Sequence, residues 1–364
     1  MKIALEAKRF FQSGTGFGTY SRTLVGDLAT FFPDNKYFLY APDTEQNLSI
    51  SALPHFTEIE RVVSQQAVQV IYPPRRRRLY WRVFGARKSI QENEIDLYHG
   101  LTQQIPRSIR LSKVPKILSI HDLIYRHHPE FSPEDDLEKY DHQLRTACAA
   151  SDRIIAVSES TKSDLIRFFS LSPDKIQVIY SPCDARFFKT ATLRQRLDVQ
   201  VRYGLPEKYL LYVGSMAARK NLLTVVKALK QIPKDKRLPL VIIGNETAYS
   251  RQVFEYAHQH NLREFLIVPK YVSTEDLPAV YQGAQVFIYM SLYEGFGMPI
   301  LEAVASGVPV VVSKNSAMPE AAGPGGSLAD PEDSEDVARR ISEFIWDQGA
   351  REAAISAGVD HAKK

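Results

Sequence analysis

Ser291-Leu-Tyr-Glu-Gly-Phe-Gly-Met-Pro-Ile-Leu-Glu-Ala-Val-Ala-Ser-Gly-Val-Pro-Val-Val-Val-Ser313 reads as loop, helix, turn and strand. Gly295 and Gly297 permit a tight turn and a close backbone approach. Pro299 suits the first helical position, where its missing N–H is no loss. Ile300, Leu301, Val304 and Ala305 recur at helical spacing. Gly307 stops the helix, and Val308 to Val312 reads as a buried parallel strand. Such a unit aims a helix N-terminus, with its free N–H groups, above the sheet. Two carboxylates frame it, Glu294 in the loop and Glu302 about one turn into the helix. An acid beside a helix N-terminus often only compensates the dipole. A pair flanking Gly-Phe-Gly fits a site with hydroxyls to hold.

Working outward, 364 residues are too many for one typical core and suit two domains. No apolar run is long enough for a transmembrane helix. Residues 1–5 begin a strand rather than a signal peptide, because no apolar region follows. Cys148 and Cys183 are the only cysteines and match no metal or redox spacing. A reducing, cytoplasmic setting is expected. A net charge of +4 gives no argument for nucleic acid binding.

Lys2 to Leu5 is a strand, followed by the glycine-rich Ser13-Gly-Thr-Gly-Phe-Gly-Thr-Tyr20. A helix with Leu24, Leu28 and Phe32 on one face comes next. Strand, glycine loop and helix resemble a phosphate cradle. The dinucleotide fingerprint is not reproduced, however, and no Walker lysine follows. Tyr37 to Tyr40 and Glu58 to Val63 read as strands. The run from Arg75 to Lys88 reads as a basic helix interleaved with aromatics. It is either a solvated helix or a surface for an anionic membrane. Strands ending at His99 and His121 place both imidazoles at strand C-terminal ends, where open α/β sheets carry function.

Ser158 opens a helix, and the domain boundary is placed near Asp184. In the second half, Tyr209 to Val213 is a strand. Gly214, Ser215, Arg219 and Lys220 follow it, before a helix from Leu222 to Gln231. A strand, a glycine and two adjacent cations before a helix N-terminus make a diphosphate site. Ser273 reads as the N-cap of a helix from Glu275 to Tyr281, with Asp276 as the acid at its third position. Regular strand–helix alternation through both halves implies two doubly wound sheets.

Glu294-Gly-Phe-Gly-Met-Pro-Ile-Leu-Glu302 resembles the paired-glutamate signature of the retaining, nucleotide-sugar-dependent glycosyltransferases of the group 1 class. Ser119-Ile-His-Asp-Leu-Ile124 is similar to a motif of that class's mannosyltransferase-like branch. The resemblance implies an α/β GT-B architecture, two Rossmann-like domains facing across a cleft. Residues 1–183 form the acceptor side and residues 184–364 bind the nucleotide-sugar donor. It makes His121 and Glu294 the catalytic pair. Gly16, Gly18, Gly214, Ser215, Arg219, Lys220, Tyr271, Val272, Phe296, Gly297, Met298, Pro299 and Glu302 are then the donor-binding set. Many relatives carry arginine where Ser215 stands, and Arg219 is expected to supply that charge.

No cofactor and no metal is implied. The class is described as front-face substitution, in which the leaving diphosphate takes the acceptor's proton. The sequence also offers no Asp-X-Asp pair. GDP-mannose is the expected donor by analogy with the branch, and a polysaccharide or lipid-linked saccharide is the expected acceptor. A nucleotide-sugar 2-epimerase of the same architecture and a non-catalytic nucleotide-sugar-binding subunit stay as alternatives. Relatives continue past the position of Lys364 with an aromatic segment and a crossing helix, so weakened domain closure is expected.

Overall fold

The structure is a computed structural model that describes residues 1–14, 16–45, 47–48, 50–53, 55–74, 86–131 and 134–364. Two compact units divide the chain, Met1–Pro182 and Cys183–Lys364. Unit 1 is built on β1 (Lys2–Glu6), β2 (Lys36–Tyr40), β3 (Val68–Ile71), β4 (Leu97–Gly100), β5 (Lys116–Ile120), β6 (Arg153–Ala156) and β7 (Ile176–Val178). Their order is β3-β2-β1-β4-β5-β6-β7, with every pair parallel. Successive strand residues face opposite sides of a sheet. Ala4 and Phe38 accordingly enter one apolar core, while Leu5 and Leu39 enter the other.

Unit 2 repeats the plan with β8 (Leu210–Val213), β9 (Leu240–Ile243), β10 (Leu266–Ile267), β11 (Val286–Tyr289), β12 (Val310–Ser313) and β13 (Ser327–Ala329). Their order is β10-β9-β8-β11-β12-β13, again all parallel. β11 and β12 are buried along their whole length, as expected for central strands covered on both faces. Both sheets reverse direction of growth once, between β1 and β4 and between β8 and β11. Loops leaving the C-terminal ends of strands diverge there and leave a crevice, the usual place for a ligand in open α/β sheets.

Several local readings need correction. Glu58 to Val63 lies in a helix, Phe56–Val63, and the strand follows at β3. Ile59 and Val62 are the buried pair, and their spacing of three is helical; the alternation Glu-Ile-Glu is too short to set a strand. The glycine-rich segment is less of a loop than expected, because the helix Gly16–Phe31 already includes Gly16 and Gly18. Its buried line runs through Gly18, Ser21, Arg22, Val25 and Ala29, with Leu24 and Leu28 half-buried and Phe32 58% exposed. Ser273 Oγ accepts from the Asp276 N–H at 3.1 Å, but the helix starts later, at Leu277–Gly283. The Asp276 carboxylate accepts instead from Tyr203 OH (2.7 Å) and Arg202 Nη1 (2.5 Å). Of the basic run from Arg75 to Lys88, residues 75–85 lie outside the described residues; Ala86–Glu92 is helical.

The two glycines of the first helical turn have different surroundings. A Cβ on Gly18 falls 2.0 Å from the Ser13 carbonyl oxygen and 2.8 Å from Arg22 Nη1, whereas a Cβ on Gly16 meets nothing within 4 Å. Gly18→Ala is expected to destabilise by about 1–3 kcal/mol, the usual cost of overpacking. Gly16→Ala is expected to be neutral or to stabilise by about 0.4–1 kcal/mol through the unfolded chain. Urea denaturation of both variants checks this, and equal effects contradict the packing assignment.

Candidate functional site

The crevice of unit 2 lies where the loops after β8 and β11 meet. The first loop carries Gly214, Ser215 and the short turn Ala218–Lys220, and then enters the helix Leu222–Gln231. The second runs from Met290 to Gly297 and enters the helix Met298–Ala305. Because β8 and β11 pair directly, the loops can bond, and Leu292 N–H donates to the Arg219 carbonyl at 2.9 Å.

Their side chains converge on one carboxylate. Glu294 accepts from Lys220 Nζ at 2.5 Å, Ser291 Oγ at 2.7 Å, Arg219 Nη1 at 3.0 Å and Tyr289 OH at 3.3 Å. Lys220 also donates to Tyr289 OH and sits 4.9 Å over the centroid of that ring. Tyr289 in turn stacks on Tyr212. Side-chain exposure is 10% for Lys220, 12% for Glu294 and 34% for Arg219. Burial by itself raises the Glu294 carboxyl pKa. The charges of Lys220 and Arg219, with hydrogen bonds from Lys220 and Ser291, overcome that and hold it down to about 2. Burial and then the charge of Glu294 push the Tyr289 phenol well up.

Gly297 caps the following helix at φ 108°, and a Cβ there would lie 2.9 Å from Ile300 Cδ1. This backbone is open to glycine and strained for other residues. The helix begins at Met298, which places Pro299 second rather than first. Phe296 is buried, and Met298 and Pro299 are half-buried. Glu302 has a different environment: it accepts from the buried Tyr281 OH at 2.9 Å. Gly214 N–H donates to the Ile243 carbonyl at 2.8 Å, and Ser215 is exposed while its carbonyl accepts from Tyr212 OH at 2.9 Å. Tyr271 is 73% exposed and Val272 half-buried, and no hydrogen bond joins either to the Glu294 cluster.

Unit 1 places a second cluster beside its own reversal point. His121 follows β5, and its Nε2 donates to the Leu101 carbonyl at 2.8 Å, which fixes the tautomer with Nδ1 as acceptor. Phe17 and Tyr20, from the helix holding Gly16 and Gly18, meet the imidazole edge-on at 4.7 and 4.6 Å. His99 Nε2 pairs with Ser119 Oγ at 2.8 Å, and Ser119 Oγ with Tyr20 OH at 2.9 Å. Burial pushes both imidazoles down to about 4.

Arg219, Lys220 and Glu294, separated in sequence, are thus brought into direct contact. Tyr289, Ser291, Tyr281, Ser119 and Tyr20 complete the clusters and were not singled out from sequence. The available signal was position alone: Tyr289 and Ser291 lie just upstream of Glu294, with Leu292 and Tyr293 between, and Tyr20 ends the glycine-rich segment. Among the described residues, no three His, Cys, Asp or Glu side chains are grouped as a metal site, and no helix is long and apolar enough to cross a membrane.

Comparison with known proteins bears on both units. Residues 195–361 match the family model of glycosyl transferases group 1, and residues 21–187 match that of glycosyltransferase family 4. The O-antigen chain mannosyltransferase B of Escherichia coli is 28% identical, over 100% of this chain and 96% of its own length. The serotype-specific mannosyltransferase WbdA of Escherichia coli is 24% identical over 70% of this chain and 32% of its own length. Among solved structures, sucrose-phosphate synthase from Thermosynechococcus elongatus superposes with a TM-score of 0.78 at 20% identity, covering 100% of this chain and 94% of the other. Anabaena HepE in complex with UDP and glucose gives 0.76 at 20% identity, covering 100% and 95%. These structures share the two parallel-sheet α/β domains of the GT-B fold.

The buried imidazoles make stability depend on pH. Their folded values lie below the ordinary 6.5, so the unfolded chain binds protons first. Stability is full above about pH 6.5, falls as pH drops toward about 4, and levels off below. Each histidine contributes a slope of up to about 1.4 kcal/mol per pH unit. Glu294 acts in a lower window: its contribution is present above the ordinary 4.5 and is lost as pH falls toward about 2. Hydrogen exchange of the β4 and β5 amides between pH 4.5 and 7.5 measures the upper window. In His99→Gln the slope is expected to drop by about one proton. An unchanged slope contradicts a buried neutral His99.

Proposed function

Because the chain belongs to the group 1 glycosyl transferases and is a hexosyltransferase, we propose that it moves mannose from GDP-mannose, with retention, to a polysaccharide or lipid-linked saccharide. The observation that carries this reading is the buried Glu294 held between Lys220 and Arg219 at the β8/β11 reversal. Two cations held in a partly desolvated crevice suit a leaving diphosphate, whose charge grows in the transition state. A carboxylate kept ionised beside them suits sugar hydroxyls. The names of the Escherichia coli relatives support mannose and a chain-type acceptor, and the UDP and glucose held by Anabaena HepE support a nucleoside-diphosphate sugar.

Each group then has a task. Arg219 and Lys220 bind the diphosphate, together with the free N–H groups of the helix Met298–Ala305. Glu294 binds the sugar, and Glu302, poised by Tyr281, binds the ribose. Within unit 2, Gly214 and Ser215 line the phosphate path, and Tyr271 and Val272 meet the base. His121 serves as a neutral hydrogen-bond partner through Nδ1. A nucleophilic carboxylate, as in retaining hydrolases, is not needed in this reading, where Glu294 holds sugar hydroxyls. Front-face substitution, with the acceptor proton passing to the leaving diphosphate, retains configuration without one. It requires no metal ion in the reaction as written.

GDP-mannose incubated with and without a mannose-terminated acceptor tests the reading. The expected result is acceptor-dependent release of GDP and an α-linked product, read by NMR. Donor epimerisation without acceptor assigns the epimerase alternative, and binding without turnover assigns the non-catalytic one. Lys220→Ala is expected to weaken GDP binding by roughly tenfold or more, the worth of a charge-assisted hydrogen bond, while guanosine binding is unchanged. Equal loss for both ligands places the lysine away from the phosphates.

A further inference from the structure

The four side chains that donate to Glu294 all reach the same oxygen. Lys220 Nζ, Ser291 Oγ, Arg219 Nη1 and Tyr289 OH converge on Oε1. Among the described residues no donor is bonded to Oε2. Among the described residues, the polar side-chain atoms sealed from solvent without a partner are Arg22 Nη2, Ser306 Oγ and Arg340 Nε; Oε2 of Glu294 is not one of them, and that side chain is 12% exposed. A carboxylate has about four lone-pair directions in all, and here the protein concentrates its donors on one side.

Charge alone does not produce that asymmetry. Two cations beside one carboxylate are satisfied equally well with one on each oxygen, and a rotation of the carboxyl group would spread them. The neutral donors break the tie. Ser291 is completely buried, three residues before Glu294 on the same loop, and its hydroxyl is aimed at Oε1. Tyr289 is the last residue of β11, its ring is buried and stacked, and its hydroxyl touches both Lys220 and Oε1. The Glu294 N–H is also fixed, donating to Ser316 Oγ at 2.9 Å. Backbone and carboxyl orientation are therefore set from both ends.

We infer that Ser291 and Tyr289 are positioning residues that dedicate Oε1 of Glu294 to the protein and leave Oε2 as the one oxygen offered to a hydroxyl of the donor sugar. The inference rests on the donor reading given above. An ionised carboxylate oxygen only accepts hydrogen bonds, so the ligand group it takes must donate one. Ser291 acts through this orientation, and its hydroxyl also bonds the Tyr289 side chain. Tyr289 acts twice, because it also holds the Lys220 ammonium.

The test is a cycle of variants against donors, using GDP-mannose and its monodeoxy-mannose series. Ser291→Ala is expected to lower kcat with GDP-mannose about tenfold while GDP affinity stays within about twofold. With the one deoxy donor that lacks the hydroxyl facing Oε2, wild type and Ser291→Ala are expected to turn over equally, because the interaction Ser291 supports is already gone. Tyr289→Phe keeps the stacked ring and is expected to lower GDP affinity as well as kcat. A Ser291→Ala penalty of the same size for every donor marks a general structural role and overturns the inference, as does full activity of both variants on GDP-mannose. The wild type alone reads out the donor assignment: if it transfers from a different nucleotide sugar and not from GDP-mannose, that assignment falls, and the cycle is decided with the monodeoxy series of the sugar it uses.

Discussion

A carboxylate taken out of water is tolerated only where opposite charge and hydrogen-bond donors meet it, and Glu294 is such a group. Removing one partner from a buried pair typically costs about 3–5 kcal/mol, because the other charge is left uncompensated. Glu294 and Lys220 therefore constrain each other and the loops that carry them. Those loops are neighbours only because β8 and β11 pair at the reversal point of the sheet. A parallel sheet with short connections thus becomes a fixed arrangement of two cations and one anion. The same constraint orders Arg219 and Lys220 without any ligand. Preorganised charge needs no reorganisation when charge develops in a ligand.

The remaining polar groups follow a different rule. Glu302 accepts from the buried phenol of Tyr281. In unit 1, the buried His99 and His121 bond to Ser119 Oγ and the Leu101 carbonyl, with no carboxylate on either among the described residues, and both stay neutral. Fixed tautomers and edge-on aromatic packing make His121 a directional hydrogen-bonding group rather than a source of charge. Three charged side chains meet at the reversal point of unit 2, whereas at that of unit 1 the carboxylate of Glu6, the last residue of β1, accepts from Thr102 Oγ1. The two units share a fold plan.

Much of this was legible in the sequence. The helix Leu222–Gln231 stands where it was expected, and β5 ends just before His121 as expected. Arg219, Lys220 and Glu294 were visible as chemistry, but their mutual contact was not. Phosphate binding by the cations and hydroxyl binding by the glutamate were read as separate tasks, because sequence distance hides a pairing made by sheet topology. Tyr289 and Ser291 were passed over because a tyrosine ending an apolar strand and a serine opening a loop look like ordinary packing and capping. Glu58 to Val63 was misread since three alternating residues imitate a strand, and only Ile59 and Val62 together reveal the helical period. Asp276 was read as the third-position acid of a helix capped by Ser273, whereas Tyr203 and Arg202 claim its carboxylate from a distant segment.

The central claim is that the Glu294–Lys220–Arg219 cluster is the place where the donor's diphosphate and sugar meet. A crystal structure of the protein with intact GDP-mannose, held by omitting acceptor, tests it most directly. The account requires diphosphate oxygens within hydrogen-bonding distance of Lys220 and Arg219, and a sugar hydroxyl on Glu294. A diphosphate bound elsewhere, with all four donors still closed on Glu294 and no sugar contact, would contradict it.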